Sequence, residues 1–536
     1  MEWENDKKKI LPKGQAADSG SITVFLCILF LLFFSLLGVA FENVRVLSSQ
    51  GYMRTAAYAA AMTVFGNYNK ELYEEYGFFA YGGCDGKEKE DLAEEFNEIL
   101  VQNIQTKPEK EQSTYSNLYR IGEVESSVEN EKKLVEQEIF DGQVKAYLKG
   151  AAVEDLKESL KGKISGDLAD NAMDEKLALT REYENGEFDG QQETDTETVE
   201  ESDVADSNMP EDVAGGNPLE IFKDMVRDGI LNLVCDASRL SDGVIEPIEN
   251  LVEETEERGD KGEDKCASEY LQEMLEGTEL SFEQNILEKE IQKLAYISYA
   301  NKQFSFYASD KNRTTKYGME YLAAGKKEER DNLSYIVNRL LGIRTMINFV
   351  AVVSNAVLQE KSFATATALA GFTGLPPVVK AVQYVILLIL AFEEACVDVT
   401  ALLEGRSVPM VKSAKNLKMT YEEVCLASKT LFASKAATYP VEGKSAADIT
   451  YQQYLCLFLL TISSEELRSH IFDLIQYDLR EKYNQTFCIE DCICASQYVI
   501  QYSVPYLFDN LPYLSGIEKG KGNNRSLEVN YGYKSR

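Results

Sequence analysis

The stretch Ile22-Thr23-Val24-Phe25-Leu26-Cys27-Ile28-Leu29-Phe30-Leu31-Leu32-Phe33-Phe34-Ser35-Leu36-Leu37-Gly38-Val39-Ala40-Phe41 decides how this chain is laid out. It holds no charge and no proline. At about 1.5 Å rise per residue these residues reach roughly 30 Å as a helix, one hydrocarbon thickness. Lys7, Lys8, Lys9 and Lys13 precede the run, whereas the nearest basic residues after it are Arg45 and Arg54. The positive-inside rule then puts the N-terminus in the cytoplasm and everything after Phe41 outside. The expectation is a single-pass cell-membrane protein that meets lipid through Ile22 to Phe41. A cleaved signal peptide is the competing reading, with Gly38-Val39-Ala40 as a small-x-small site. Signal cores run about 7–15 apolar residues, and this run is longer, which favours a retained anchor.

Outward from the anchor, no proline occurs between Glu42 and Tyr76, and Thr55 to Met62 is rich in alanine. A helix continuing past the membrane as a stalk is expected. Glu42 and Arg45 stand three residues apart and can pair on one helical face. Gly51, Ala56 and Ala60 are among the small residues that let a second helix approach closely. That helix is either part of the protein's own ectodomain or a neighbouring subunit.

The run Gly20-Ser21-Ile22-Thr23-Val24 opening an apolar helix, then Glu42-Asn43-Val44-Arg45 and an alanine-rich helix, resembles the TadE/TadG-like proteins of Tad-type pili. The continuation Tyr68-Asn69-Lys70-Glu71-Leu72-Tyr73-Glu74-Glu75-Tyr76-Gly77 resembles a large, functionally uncharacterised branch of bacterial membrane proteins associated with those systems. So do Glu320 to Lys326, Leu340 to Phe349 and Leu402 to Pro409, in that order along the chain. The resemblance implies a minor or accessory component of a Tad or type IV-like pilus or related secretion assembly, with pilin-like or Tad assembly proteins as partners. In type IV prepilins cleavage follows a glycine, here Gly20 before Ser21, and the fifth mature residue is Glu. Here that fifth residue is Phe25, which departs from the pilin pattern and fits TadG-like proteins better.

The remaining chain reads as mainly α with a small β-sheet. The layout expected is a cytoplasmic tail (1–20), the transmembrane helix (21–41), the stalk (42–80) and a first ectodomain segment of helices and short strands (81–181). An acidic linker (182–216), a main helical body (217–515) and a tail ending in a strand (516–536) follow. The linker has no basic residue and few apolar ones, so like charges keep it solvated. Asn217-Pro218 is a good helix start, with Asn as cap and Pro in the first turn. Alternation predicts strands at 119–129 and 526–533. Helical spacing predicts helices over 133–160, 281–300, 328–360 and 451–483. Val385 to Phe392 is intensely apolar, but only 12 uncharged residues separate Lys380 from Glu393. That is too short to span a bilayer and predicts a core helix.

Composition excludes several functions. The net charge of −34, from 55 basic and 89 acidic residues, argues against nucleic acid, whose phosphates need a basic surface. There is one histidine, His470, so any His-based catalysis runs through it. Of ten cysteines, Cys27 lies in the anchor. Cys488, Cys492 and Cys494 form the densest cluster, which suits zinc, a local disulfide or simple burial. The usual second pair of a zinc knuckle is missing. Arg258-Gly259-Asp260 is an adhesion-type tripeptide in an acidic stretch, short enough to arise by chance. Glu393 and Glu394 follow an apolar run and read as partly buried. No phosphate-binding glycine loop, G-x-S-x-G or H-E-x-x-H occurs. The expectation is a non-enzymatic surface protein with no cofactor, no metal and no small-molecule substrate. The alternatives are a stand-alone surface binding protein or adhesin, or a cell-envelope enzyme.

Overall fold

A proline-free run of apolar and then alanine-rich sequence has no reason to break, and α1 is a single helix from Asp18 to Gly66. The computed structural model describes residues 18–84, 89–104, 121–148, 218–227, 229–248, 288–309, 311, 313–441, 448–506 and 523–533. The acidic linker at 182–216 and the tripeptide at 258–260 lie outside these residues. The protein is mainly α with a small antiparallel sheet, and it divides into two compact units.

The first unit comprises the described parts of Met1–Lys70, Phe79–Leu134 and Glu490–Lys534. Besides α1 it contains β1 (Tyr81–Gly82), α3 (Lys89–Ile104), β2 (Val124–Lys133), β5 (Cys492–Val504) and β6 (Asn523–Gly532), numbered in chain order with the elements given below. β5 is the central strand. It pairs antiparallel with β2 and with β6, and its first two residues pair with β1. Tyr498 lies opposite both Val128 and Val529, which sets the register. Alternate residues Tyr498, Ile500, Tyr502 and Val504 face one way, as a strand's period of two requires. With Leu527 and Val529 they close a core against Leu92, Phe96 and Leu100 of α3 and Ala57, Ala60, Ala61, Val64 and Phe65 of α1. The rings of Phe96 and Tyr498 stack at 3.8 Å. β2 starts later than the alternation at 119–129 suggests, and a bulge after Val128 accommodates its pairing with β5. The C-terminal strand is where alternation put it.

The second unit comprises Glu71–Phe78 and the described parts of Val135–Ile489 and the C-terminus. Its helices are α2 (Lys70–Tyr76), α4 (Gln137–Leu148), α5 (Pro218–Arg227), α6 (Ile230–Val234), α7 (Glu288–Gln303), α8 (Gly318–Ala324) and α9 (Glu329–Val353). They continue with α10 (Ala356–Ala370), α11 (Pro376–Leu403), α12 (Lys429–Ala436), α13 (Tyr451–Leu460) and α14 (Ser464–Lys482). A two-residue strand pair joins β3 (Val408–Pro409) to β4 (Asp448–Ile449). α9 and α11 form the packed centre, with α10 laid along α11. α9 is long and apolar enough to cross a membrane, yet 78% of its apolar window is buried, as in a core helix.

The run Val385 to Phe392 sits inside α11. Ile386, Leu387, Ile389, Leu390 and Ala391 are buried there, so it is a core helix as its shortness implies. Local chemistry sets the boundaries. Pro376 and Pro377 occupy the first turn of α11, where a missing N–H costs nothing. Thr450 and Gln453 form a reciprocal capping box at α13, and the Ser463 hydroxyl accepts from the Glu466 N–H at α14. Gly325 ends α8 at φ 64°, a left-handed conformation that glycine adopts without strain.

Candidate functional site

Helix α1 has two faces beyond the anchor. Ala56, Ala57, Ala60, Ala61 and Val64 point inward and are buried in the first unit. Val44, Leu47, Gly51, Thr55, Tyr58 and Met62 point the other way, spaced by three and four residues along one stripe. Leu47 is 66% exposed and Met62 65%. A side chain at Gly51 would meet nothing within 4 Å, so the surface there is open. No residue of the span Ile22 to Phe41 is buried. The outer stripe therefore runs on from the exposed apolar run without interruption.

The residues singled out in the sequence divide between these faces. Gly51 belongs to the outer stripe. Ala56 and Ala60 do not, since their methyl groups pack on the protein's own α3 and sheet. Glu42 and Arg45 pair in two-pronged fashion, with Arg45 Nε 3.0 Å and Nη2 2.6 Å from the Glu42 carboxylate oxygens. Arg45 Nη2 also donates to the Pro505 carbonyl at 2.6 Å, and the side chain is buried. The pair thus ties the helix to the chain leaving β5, a role the local i,i+3 spacing does not reveal. Gly20 and Ser21 lie within helical backbone at the start of α1.

A second constellation lies inside the second unit. Asp398 on α11 accepts from Arg344 Nε and Nη2 of α9 at 3.0 and 2.6 Å, and from Asn348 at 2.8 Å. It also accepts from Lys412 at 2.5 Å and the Tyr439 hydroxyl at 2.8 Å. Lys412 pairs with Glu394 as well, and Glu394 accepts from the backbone N–H groups of Lys418 and Met419. Burial opposes ionisation of Asp398, but the Arg344 and Lys412 charges outweigh it and hold its carboxyl down to about 2. The charged members are all paired with one another, and only the Asn348 amide oxygen is left without a partner, which describes a staple between helices better than a reactive centre.

Two other carboxyls differ. Glu393 is fully buried without a hydrogen-bond partner, and burial, aided by the Glu423 charge, pushes its carboxyl well above the usual range. Glu320 on α8 accepts from the Tyr307 N–H and the Tyr451 hydroxyl through one oxygen, while the other has no partner. Burial raises it to about 7.

The remaining sequence candidates are structural in their surroundings. His470 is buried, with Nδ1 3.0 Å from the Leu322 carbonyl and its ring against Tyr321. Cys492 and Cys494 lie buried in β5, and the Cys494 thiol donates to the Phe79 carbonyl. Among the described residues, no cluster of three or more His, Cys, Asp or Glu side chains is arranged to hold a metal ion. Cys235 borders a cavity of about 350 Å³ with Tyr307, Lys429 and Glu404, but burial pushes its thiol up to about 12, which keeps it protonated at neutral pH.

Comparison with curated proteins and with solved structures gave no match. A family model does match, over residues 208–504, a region that takes in most of the second unit and the central strand β5. Since that match covers more than half of the sequence, the chain belongs to a family of unknown function (DUF5702).

Proposed function

We propose that this protein is a membrane-anchored, outward-facing component of a helix-packed surface assembly of the Tad-pilus type, acting by contact rather than catalysis. The observation that carries the reading is the division of labour on α1. One face is consumed by the protein's own fold, and the opposite face stays open and apolar from the membrane outward. Small and apolar side chains at helical spacing are what close helix packing uses. The lysines before the span orient the chain with its bulk outside. The sequence resemblance supplies the type of assembly, and the acidic character of the chain keeps so large an ectodomain soluble.

Cysteine crosslinking in intact cells tests this. Leu47→Cys and Tyr58→Cys should yield adducts with small pilin-like proteins, whereas Ala60→Cys, on the inward face, should not. Adducts with none of these partners, or adducts only with a second copy of the chain, would refute a place in such an assembly.

A further inference from the structure

The hairpin formed by α10 and α11 ends in an unusual tip. Gly371-Phe372-Thr373-Gly374-Leu375-Pro376-Pro377 turns the chain, with Gly374 at φ 64°. Phe372 is 88% exposed and Leu375 57%, and Val378 continues the same surface one turn into α11. Behind the tip an apolar groove of about 340 Å³ is lined by Leu219, Pro377, Val378, Ala381, Val382 and Val385. Large aromatic and aliphatic side chains at the point of a protruding turn gain nothing from water.

Three features favour a bilayer over a protein as what covers them. The first is charge. In a chain of net charge −34, no acidic residue occurs from Lys361 to Phe392, and the two charges present are lysines. Lys361 pairs with Glu422, while Lys380 stands exposed one turn behind the tip, where a long aliphatic stem can follow apolar surface and place its ammonium among phosphates.

The second is the backbone. The N–H groups of Gly371, Gly374, Leu375, Val378 and Val379 all donate within the turn, to Thr367, Gly371, the Thr373 hydroxyl and Leu375. Thr373 Oγ1 donates in turn to the Ala370 carbonyl at 2.7 Å. Pro376 and Pro377 have no N–H to satisfy. A turn that meets this much of its own hydrogen bonding loses less on leaving water. The third is that the same chain carries a segment of bilayer-spanning length.

We propose that the tip of this hairpin, with Phe372, Leu375 and Val378 foremost and Lys380 behind them, inserts into the headgroup–acyl boundary of the bilayer that holds α1, as a second and reversible membrane contact. The proposal rests on α1 being a membrane anchor.

The test uses the full chain with its one native tryptophan removed (Trp3→Phe), reconstituted in phosphatidylcholine–phosphatidylglycerol vesicles. Tryptophan is introduced singly at Phe372, at Phe33 in the anchor, or at the exposed Ala437. Insertion predicts a blue-shifted emission from Phe372→Trp and its quenching by lipids brominated near the headgroup end of the chain. Ala437→Trp should show neither. A Phe372→Trp spectrum typical of water, unaffected by brominated lipid, would overturn the proposal while Phe33→Trp remained quenched. A blue shift that grows with protein density and resists brominated lipid would also overturn it, in favour of a second copy. Loss of quenching at Phe33→Trp would instead mean that the anchor reading had failed.

Discussion

Glu320 makes the stability of the helical unit depend on pH in a way one substitution should abolish. Its carboxyl is fully buried, with one oxygen bonded to the Tyr307 N–H and Tyr451 hydroxyl and the other unpartnered. Burial raises it from 4.5 to about 7. Between those values the native state holds a proton that the unfolded chain has released, so stability falls as pH rises through that window. At about 1.4 kcal/mol per pKa unit, the loss attributable to Glu320 between pH 5 and pH 8 is about 2–3 kcal/mol. Glu320→Gln keeps the accepting oxygen but cannot ionise. Its amide nitrogen has no partner at the vacated oxygen, a cost of about 1–3 kcal/mol that is the same at every pH. The measured quantity is therefore the change in the wild-type minus variant stability between the two pH values, from urea unfolding of the detergent-solubilised chain followed by circular dichroism. The variant should gain about 2–3 kcal/mol on wild type over that interval. Parallel profiles for the two proteins would show that Glu320 is already ionised at pH 5, and the account of its burial would be wrong.

Asp398→Asn leaves Arg344 buried without its carboxylate and Lys412 with Glu394 alone, and should cost about 3–5 kcal/mol, read as a lower thermal midpoint. Because Asp398 is held down to about 2, its contribution is complete above the ordinary value of 3.8 and drains away as pH falls toward 2. Acid unfolding of the variant should lack that component. Ala60→Leu overfills the core between α1 and the sheet and should destabilise the first unit by about 1–3 kcal/mol. Ala59→Leu, one residue away on the exposed side, should change stability by no more than about 0.5 kcal/mol in either direction. Arg45→Ala removes the charge-assisted bond to the Pro505 carbonyl, worth about 1.5–3 kcal/mol, and hydrogen exchange should quicken at the end of β5 near Val504.

The long apolar helix, its unbroken continuation and the helical character of the body were legible because each rests on a local pattern: an unbroken apolar run, the absence of proline, or spacing of three and four. Which alanines face inward was not. A run of alanine carries no polar contrast, so nothing in the sequence separates Ala59 from Ala60. β5 was not legible either: Tyr498, Ile500, Tyr502 and Val504 alternate, but Cys492, Ile493 and Cys494 at its start are buried on both faces and carry no alternation. The ion network could not be read at all. Arg344 and Asp398 are 54 residues apart, and only the packing of α9 on α11 makes them partners. The Phe372 tip was visible as Pro376-Pro377 breaking the chain, but its exposure depends on what the rest of the fold leaves uncovered.

The first unit is assembled from segments that lie far apart along the chain. α1 is made well before the strands that cover its alanine face: β5 and β6 follow it by more than 400 residues. Throughout synthesis of the intervening chain, α1 has α3 to pack against but not the sheet. Loop closure over that separation is slow as well as late. A chain that stops before Asn523 would lack β6, and with it Leu527 and Val529 of the core that closes on the alanine face of α1.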